Sequence, residues 1–271
     1  MESGGKKVRS IRSFTCGSCI NNQRFILRGA SAKKMRFPAK VFLLEHHNLG
    51  YLLFDTGYSQ AVKHNGLVAK LYNLLNPIEL SHDQVITAQL RAIGISSQEI
   101  KAIILSHLHP DHIGGLPLFR EPDIYVSPEI WAQVVNPKQR SLLVFDNLLQ
   151  QPLVKYQVIT RELTDHFLNR YFPHVYDVLG DGSILGVALE GHASGQIGVY
   201  LPEWNILLAA DAAWNKFMLH RAKQMHWLAR MVQHDFTTFL QTARDLRILE
   251  AEHPEIEIYF THEQTEEFNY V

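Results

Sequence analysis

The sequence predicts an α/β fold in which two mixed β-sheets pack face to face and helices flank them, an αββα sandwich. Three observations support this prediction: apolar runs of strand length recur along the chain, helix-start signals fall between them, and the order of strands, helix and strand occurs twice. The chain has 271 residues, of which 46% are hydrophobic and 20% charged. Such a chain can bury a sizeable core, and we expect one domain that spans residues 1–271.

Composition narrows the classes of partner. The formal net charge of -1 gives no overall attraction to nucleic acid or to an anionic membrane. No apolar run is long enough to span a bilayer, and the opening residues MESGGKKVRSIRSF lack the apolar core of a secretory signal. We therefore expect a cytoplasmic protein with no nucleic-acid partner and no membrane span.

The first 37 residues are basic and contain glycines, and we expect residues 1–37 to form an N-terminal arm or loop. Within them, residues 24–37 mix Lys and Arg with apolar residues, which favours a solvated strand pair over a loop that covers a site. Cys16 and Cys19 could form a redox dithiol or half of a metal site. Reduced thiols in a loop are favoured, because no second cysteine pair and no thioredoxin-like context follow.

Strand and helix signals alternate along the first half of the chain. Residues 41–45 and 51–55 are apolar runs around a turn with Asn and Gly, which predicts a β-hairpin. Asp55 ends this hairpin, where a carboxylate suits either a position behind a metal ligand or an Asx-type turn. A capping box at 81–84 predicts a helix over 85–93, and it is followed by strands over 102–105 and 123–126 and a helix that starts at 127–129.

The second half repeats this order without an exact internal repeat. Apolar runs predict strands over 175–179, 184–189, 197–201 and 206–210. Asp235 is the expected N-cap of a helix whose apolar stripe runs from 236 to 249, and a strand over 257–261 follows. Residues 136–172 carry no clear motif.

The densest group of polar side chains follows the strand at 102–105. Residues 106–112 read Ser-His-Leu-His-Pro-Asp-His, so three imidazoles and a carboxylate stand together at a strand end. Neutral imidazole and carboxylate are ligands for divalent metals such as zinc. A packed core does not gather four such side chains without partners, so the cluster predicts a metal site rather than a solvated turn. Its candidate ligands are His107, His109, Asp111 and His112.

Three further candidate ligands, His192, Asp211 and His262, each stand where an apolar strand run gives way to a loop. Each is weak evidence alone, because a single histidine or aspartate is more often a satisfied polar residue. Strand ends from several β-elements can converge on one edge of a sandwich. Four separate strand-end positions with ligand chemistry therefore predict one metal centre. The pair Gly114 and Gly115, just after the cluster, is expected to let the backbone pass close to the metals.

In their order along the chain, these residues resemble the metallo-β-lactamase superfamily, within which the N-acyl homoserine lactonase group is the most similar. The resemblance rests on Phe-Asp-Thr-Gly at 54–57, His-x-His-x-Asp-His at 107–112, Gly-His at 191–192, and the Phe-x-His-acid pattern at 260–263. It implies a metallo-β-lactamase-type sandwich with a two-metal site. In the implied assignment the first ion is held by His107, His109 and His192, the second by Asp111, His112 and His262, and both by Asp211 with a bridging hydroxide.

The resemblance also implies an activity, that of a dinuclear zinc-dependent hydrolase in which the hydroxide attacks an ester-type carbonyl, most concretely a lactone. Iron or manganese are alternatives to zinc. Asp111 could pass a proton to the leaving group, while Asp211 acts as the bridge. Glu263 could orient His262 or be a surface acid. Trp214 stands where lactonase relatives have a tyrosine that meets the substrate carbonyl, and it can donate one N–H but cannot ionise.

Two features leave alternatives open. A thioesterase or glyoxalase-II-like hydrolase is the main alternative activity. Because Trp214 replaces the tyrosine, a metal-binding regulatory protein with little turnover is a second alternative. Residues 212–234 contain no acid and mix cations with apolar side chains. That composition suits a lid over an acyl-bearing substrate, a membrane contact, a homodimer face or a helix packed on its own sandwich.

Overall fold

Fourteen strands form within the residues that the computed structural model describes, which are 5–64, 66–141, 143–149 and 155–271. In chain order the strands are β1 Val8–Asn22, β2 Lys34–His46, β3 Gly50–Phe54, β4 Ile78–Glu79, β5 Ile100–Ile104, β6 Asp123–Val126, β7 Lys155–Val158, β8 Glu162–Leu163, β9 Val175–Asp177, β10 Leu185–Ala188, β11 Ile197–Leu201, β12 Ile206–Leu208, β13 Glu257–Tyr259 and β14 Asn269–Tyr270.

Helices connect the strands and cover the outer faces of the sheets. The α-helices are α1 Gln23–Ile26, α2 Gly66–Leu75, α3 Ile86–Ala92, α4 Pro110–Ile113, α5 Pro128–Val135, α6 Asp146–Leu149, α7 Lys216–Leu219, α8 Trp227–Arg230 and α9 Phe236–Glu252. Short 3₁₀ helices occupy Gln60–His64, His82–Gln84, Ser97–Glu99, Leu116–Leu118, Pro137–Gln139, Phe167–Arg170, Pro202–Trp204 and Ala222–Gln224. None of the helices in the described ranges is both long enough and apolar enough to cross a membrane.

The strands form two mixed sheets. The first has the order β14-β1-β2-β3-β5-β6-β7, with β4 also paired to β1; the pairs from β3 to β7 are parallel and those among β1, β2 and β3 antiparallel. The second has the order β13-β12-β11-β10-β9-β8 and is antiparallel except for the parallel pair β12 and β13. The predicted sandwich of two mixed sheets flanked by helices is confirmed.

The pleat of each strand sends alternate side chains to different layers of the core. In β3, Leu52 and Phe54 pack between the two sheets against residues such as Leu208. Leu53, between them, belongs instead to the layer under the helices, which also contains Leu246 of α9. Both faces of the central strands are therefore buried, which explains why these strands are apolar throughout.

The prediction of an arm or loop over residues 1–37 is wrong for residues 8–22 and 34–37. Residues 8–22 form β1, which pairs along its length with β2 and also with β14. Val8 and Ile11 are fully buried, whereas Arg9 between them is exposed. The basic residues thus mark the outer positions of a half-buried strand rather than a solvated arm. Residues 24–37 contain α1 and the start of β2, so the predicted strand pair is not formed there.

The helix signals hold with small shifts. The capping box at Ser81 opens the 3₁₀ turn over 82–84, and α3 begins only at Ile86. Asp235 caps α9 as expected, since its Oδ1 accepts hydrogen bonds from the backbone N–H groups of Thr237 at 2.8 Å and Thr238 at 3.2 Å. This cap fixes the start of α9 beside the loop that carries His192.

Candidate metal centre

One rim of the sandwich, where strands of both sheets end, gathers the predicted ligands. The first sheet contributes the loop after β5 and the first turn of α4. The second sheet contributes the loop after β10 and the ends of β12 and β13. The structure brings together all seven candidate ligands in buried positions: His107, His109, Asp111, His112, His192, Asp211 and His262.

The first group consists of three histidines whose ring nitrogens converge. One ligand atom of each of His107, His109 and His192 lies within 4.8 Å of the others. His109 Nδ1 is 3.1 Å from His107 Nε2 and 2.9 Å from His192 Nε2. His109 therefore presents its Nδ1 atom to the centre of the group, while the other two present Nε2.

The second group combines two carboxylates and two histidines. Asp111, His112, Asp211 and His262 each place one ligand atom within 4.8 Å of the others. Asp111 Oδ2 lies 3.5 Å from His262 Nε2 and 3.9 Å from His112 Nε2. A mixed set of imidazoles and carboxylates is a typical donor set for a divalent cation.

Asp211 touches both groups. Its Oδ2 atom lies 3.3 Å from His192 Nε2 in the first group and 3.1 Å from His262 Nε2 in the second. Its Oδ1 atom faces His112 Nε2 at 3.4 Å. One carboxylate therefore stands between the two sets of donors, which is the position that a bridging ligand requires.

Asp55 holds His112 from behind, as one of its two predicted roles requires. The Asp55 carboxylate accepts a hydrogen bond from His112 Nδ1 at 2.7 Å, and it also accepts from Ser106 N and Ser106 Oγ at 2.8 Å each. Because Ser106 Oγ donates to Asp55, it accepts from His107 Nδ1, which lies 3.0 Å away. The contact network thus leaves Nε2 of His107 without a proton, and it directs Nε2 of both His107 and His112 at the centre.

Two residues outside the predicted set orient His262 and His192. His262 Nδ1 donates to the backbone carbonyl of Pro38 at 2.7 Å, so its Nε2 faces Asp211. Gln233 Nε2 donates to Ala229 O, which turns Gln233 Oε1 toward His192 Nδ1 at 2.9 Å. His192 must therefore donate through Nδ1 and present a bare Nε2 to the first group.

Glu263 and the glycine pair make contacts that the sequence did not reveal. Glu263 accepts a hydrogen bond from the backbone N–H of Lys216 at 2.8 Å, at the start of α7, instead of orienting His262. The glycine pair packs on another loop: a Cβ atom on Gly114 would lie 2.7 Å from Gly57 O, and one on Gly115 would lie 2.4 Å from Thr56 O. The close approach is between backbones, and it places α4 against the turn after Asp55.

Burial and neighbouring charges set the protonation of the two groups differently. Burial, reinforced by adjacent imidazoles, holds the pKa of His107 and His109 well below the usual histidine value. Burial also acts to lower the pKa of His112, but the carboxylates of Asp211, Asp55 and Asp111 outweigh it and raise that pKa well above the usual value. The first group is therefore neutral at pH 7. In the second group, His112 holds a proton next to the carboxylates.

The donors present fit a pair of divalent cations. In the first group the bare Nε2 atoms of His107 and His192 both face His109 Nδ1, which has at most one hydrogen to give, so a cation satisfies lone pairs that hydrogen bonds cannot. In the second group His112 Nε2 and Asp211 Oδ1 are buried and have no well-aligned hydrogen-bond partner among the described residues. A second cation there would replace the proton that His112 otherwise holds.

A cleft of about 630 Å³ opens onto the site. His109, Asp111, His192, Asp211 and His262 form its floor. Its walls are mostly apolar and come from three segments: the β1–α1 junction, α2 with the residues after it, and residues 214–232. Trp214 stands in the wall with its ring edge-on to Phe37 at a centroid distance of 5.5 Å.

The segment 212–234 is neither a continuous amphipathic helix nor a detached flap. It folds into α7, a 3₁₀ turn and α8, and it buries Met218, Leu219 and Met225 in the core. Its other side, including Trp227 and Met231, is exposed beside the cleft. One side of the segment therefore packs into the core and walls the pocket, and its outer side is exposed.

A two-sheet αββα sandwich with a histidine- and aspartate-lined rim defines the structural class of this chain. The chain belongs to the metallo-β-lactamase superfamily, whose family model matches residues 36–253. Among solved structures, an N-acyl homoserine lactone hydrolase with the product N-hexanoyl-L-homoserine at its catalytic metal centre is similar, with a TM-score of 0.72, 18% identity and coverage of 95% of this chain and 94% of that one. AidC, a dizinc quorum-quenching lactonase, is similar with a TM-score of 0.62, 16% identity and coverage of 96% and 90%.

Curated relatives are similar in sequence over part of their length. The N-acyl homoserine lactonase AttM of Azorhizobium caulinodans is 29% identical over 185 residues, and that of Agrobacterium fabrum is 28% identical over 185 residues. The matched stretch covers 65% of this chain and 65% of each of these relatives.

Proposed function

We propose that this chain is a dinuclear metal-dependent hydrolase that opens lactones. The observation that carries the proposal is the position of Asp211 between two complete donor groups at the floor of one cleft. The curated relatives and the similar solved structures, which are named as lactonases and lactone hydrolases, support the substrate class. The residues proposed to hold the first ion are His107, His109 and His192, those for the second are Asp111, His112 and His262, and Asp211 bridges.

Zinc is the proposed metal. Five imidazoles and two carboxylates form the donor set, and imidazole-rich sites suit zinc, although iron and manganese accept the same donors. When bound, a pair of such ions lowers the pKa of a shared water, polarises a carbonyl and stabilises a departing oxygen. The contacts of Asp55, Gln233 and Pro38 keep the histidine rings aimed at the site before any ion arrives.

Asp111 is proposed to move the proton. Its carboxylate lies at the edge of the second group, borders the cleft and is 8% exposed, so a substrate in the cleft can reach it. Ring opening of a lactone leaves an alkoxide that must gain a proton. Asp111 can pass to that oxygen the proton that the attacking water releases.

Trp214 is proposed to contact the carbonyl group of a substrate bound in the cleft. Its indole is 7% exposed and its ring is fixed edge-on by Phe37. An indole N–H donates one hydrogen bond and does not ionise, so Trp214 can orient a carbonyl but cannot exchange protons with it. Proton transfer is therefore assigned to Asp111 and not to Trp214.

The test is hydrolysis of a panel of lactones by metal-loaded protein, beside thioester substrates and a His109→Ala control. We expect lactone turnover that the control lacks, and about two equivalents of metal per chain by elemental analysis of the active protein. Faster turnover of thioesters would support the thioesterase-like alternative. Equal rates for wild type and control would reject the hydrolase proposal and leave a metal-binding regulatory protein.

A further inference from the structure

The charge of this chain is unevenly distributed around the cleft. The segments that contribute to its walls, taken with their flanking residues as 20–37, 56–78 and 212–234, contain eleven Lys and Arg residues and no Asp or Glu. Two of these cations pair with carboxylates from outside the segments, Arg36 with Glu79 and Lys216 with Glu250. The whole chain has 26 Lys and Arg against 27 Asp and Glu. The net charge is close to zero because a cationic face at the mouth of the cleft is balanced by an excess of acidic residues in the rest of the chain.

One flank of the mouth is an uncovered apolar helix. On α2, Leu67, Leu71 and Leu74 stand at i, i+4 and i+7 and are 82%, 56% and 74% exposed. This spacing places them on one side of the helix, and Leu74 also lines the cleft. An exposed apolar stripe of this kind marks a contact surface rather than an ordinary solvated helix.

A second flank, formed by α1 and the α8 region, repeats the pattern. Trp227 and Met231 of the α8 region are 60% and 73% exposed, and Phe25 of α1 is 41% exposed. The two elements are joined, since His226 N donates to Ile26 O at 2.7 Å and Leu27 forms a β-bridge with Met225. Exposed aromatic and aliphatic side chains thus border the cleft on both sides.

Exposed cations accompany these apolar side chains. Arg24 stacks over the Phe25 ring at 4.7 Å, and Arg28 donates to the backbone carbonyl of Lys223. In the part of the chain that the structure describes, five exposed cations of this face form no ion pair with a carboxylate: Arg24, Arg28, Lys33, Lys34 and Lys223.

We propose that this face docks on an anionic lipid bilayer, with the mouth of the cleft against the membrane surface. Protruding Trp, Phe, Leu and Met side chains enter the region between headgroups and acyl chains, and surrounding Lys and Arg pair with anionic headgroups. A second copy of this chain is a poorer occupant, because a two-fold interface would set the same predominantly cationic face against itself. An apolar substrate could then enter the cleft directly from the bilayer.

The test is co-sedimentation of the full-length protein with vesicles of phosphatidylcholine alone and with an equal share of phosphatidylglycerol. We expect binding to the anionic vesicles that weakens with added salt. Three double variants should each lower the binding constant for anionic vesicles at least about tenfold. They are Leu67→Ser with Leu71→Ser, Trp227→Ser with Met231→Ser, and Lys33→Glu with Lys223→Glu. None of these residues lines the cleft, so hydrolysis of a water-soluble lactone should not change.

Matched controls come from outside the face. Val135→Ser removes an apolar side chain that is 57% exposed on α5, and Lys138→Glu reverses an exposed cation just after it. Both should bind anionic vesicles as the wild type does, and unchanged thermal unfolding of every variant shows that the fold is intact. Binding is read without substrate, so its outcome is independent of the lactonase proposal.

Three results would overturn the docking proposal. The first is failure of the wild type to sediment with anionic vesicles. The second is equal, salt-insensitive binding to neutral vesicles, which would remove the role of the cations. The third is a dimer in sedimentation velocity that Leu67→Ser with Leu71→Ser dissociates, which would assign the face to a second copy.

Discussion

Gln233 Oε1 lies 2.9 Å from His192 Nδ1, and both side chains are buried. Gln233 directly follows the segment 214–232 that walls the cleft, whereas His192 belongs to its floor. The hydrogen bond therefore connects the position of the wall with the orientation of a proposed metal ligand.

Replacement of Gln233 by Leu should weaken metal binding. Leu keeps the approximate volume but cannot accept from His192 Nδ1, so the ring loses its fixed orientation, and we expect a loss of roughly 10- to 100-fold in affinity for one ion. Competition with a chromogenic chelator measures this loss. Gln241→Leu is the matched control, because Gln241 is an exposed residue of α9 whose side chain donates to Asp245 rather than to a candidate ligand. Equal affinities in the two variants would contradict the assigned role.

Replacement of Asp55 by Asn tests the support behind His112. The Asp55 backbone has φ of 64°, a left-handed conformation that Asn tolerates, so the change alters charge with little backbone strain. The neutral amide accepts the His112 N–H less strongly than the carboxylate does, and we expect about a tenfold loss of metal affinity with the fold retained. Metal content after dialysis measures the loss of affinity, and circular dichroism shows whether the fold is retained. A fully loaded Asp55→Asn protein would show that this carboxylate is dispensable.

Removal of metal should destabilise the protein. The proposed ligands are buried and join both sheets, so ions that bind only the folded state contribute about 4 kcal/mol when free metal exceeds the dissociation constant about 1,000-fold. For a chain of this size, the corresponding drop in Tm on adding a chelator is on the order of 10 °C. Thermal unfolding with and without chelator measures it. The His109→Ala variant should respond much less, and an equal drop would mean that the chelator acts elsewhere.

The two cysteines should be inert toward thiol reagents in the folded protein. Both are free and buried, and burial raises the pKa of Cys19 to about 12 and that of Cys16 further. A thiol ionises only above its pKa, so folded protein should stay unlabelled at pH 8–9, where an ordinary thiol with a pKa of about 8.5 reacts. Labelling by a chromogenic disulfide reagent, with and without guanidinium, checks this. Rapid labelling of the native protein would revive the redox-dithiol alternative.

Replacement of Gly191 by Ala should destabilise the fold through a steric clash. A Cβ atom there would lie 2.1 Å from Phe239 N at the start of α9, and the residue also has φ of 116°. Gly182→Ala is the matched control, since Gly182 has φ of 76° but no atom within 4 Å of an added Cβ. We expect the control to cost about 1–2 kcal/mol and Gly191→Ala about 3 kcal/mol or more. Denaturant unfolding measures both, and equal losses would show that α9 yields to the added methyl group.

The sequence predicted the sandwich and the positions of the candidate ligands because both depend on local patterns. Apolar runs mark strands that are buried on both faces. Polar residues at the ends of these strands lie at the rim of the sandwich, and this position does not depend on the conformation of the connecting loops. The ligand roles themselves stay a prediction. The arm predicted for residues 1–37 is wrong over residues 8–22 because a basic, glycine-containing composition does not reveal that these residues pair with β2.

The supporting contacts were not predictable from sequence. Pro38 acts on His262 through its backbone carbonyl, a group that every residue carries, so no side-chain pattern reveals it. Gln233 reaches His192 from a turn without periodic structure, and only the folded chain shows that they meet. The cationic face likewise combines three segments that are distant in sequence, and it was visible in the sequence only as one acid-free stretch.

The candidate ligands are spread from residue 107 to residue 262, and this spacing has a consequence for synthesis on the ribosome. The loop after β5, with its four candidate ligands, leaves the ribosome more than 70 residues before His192 does. Asp211 and His262 follow later still. A nascent chain can therefore hold an ion only through an incomplete set of side chains until residue 262 has left the exit tunnel. Hydrolytic competence should arise abruptly and late in translation, so fragments released early would be catalytically silent.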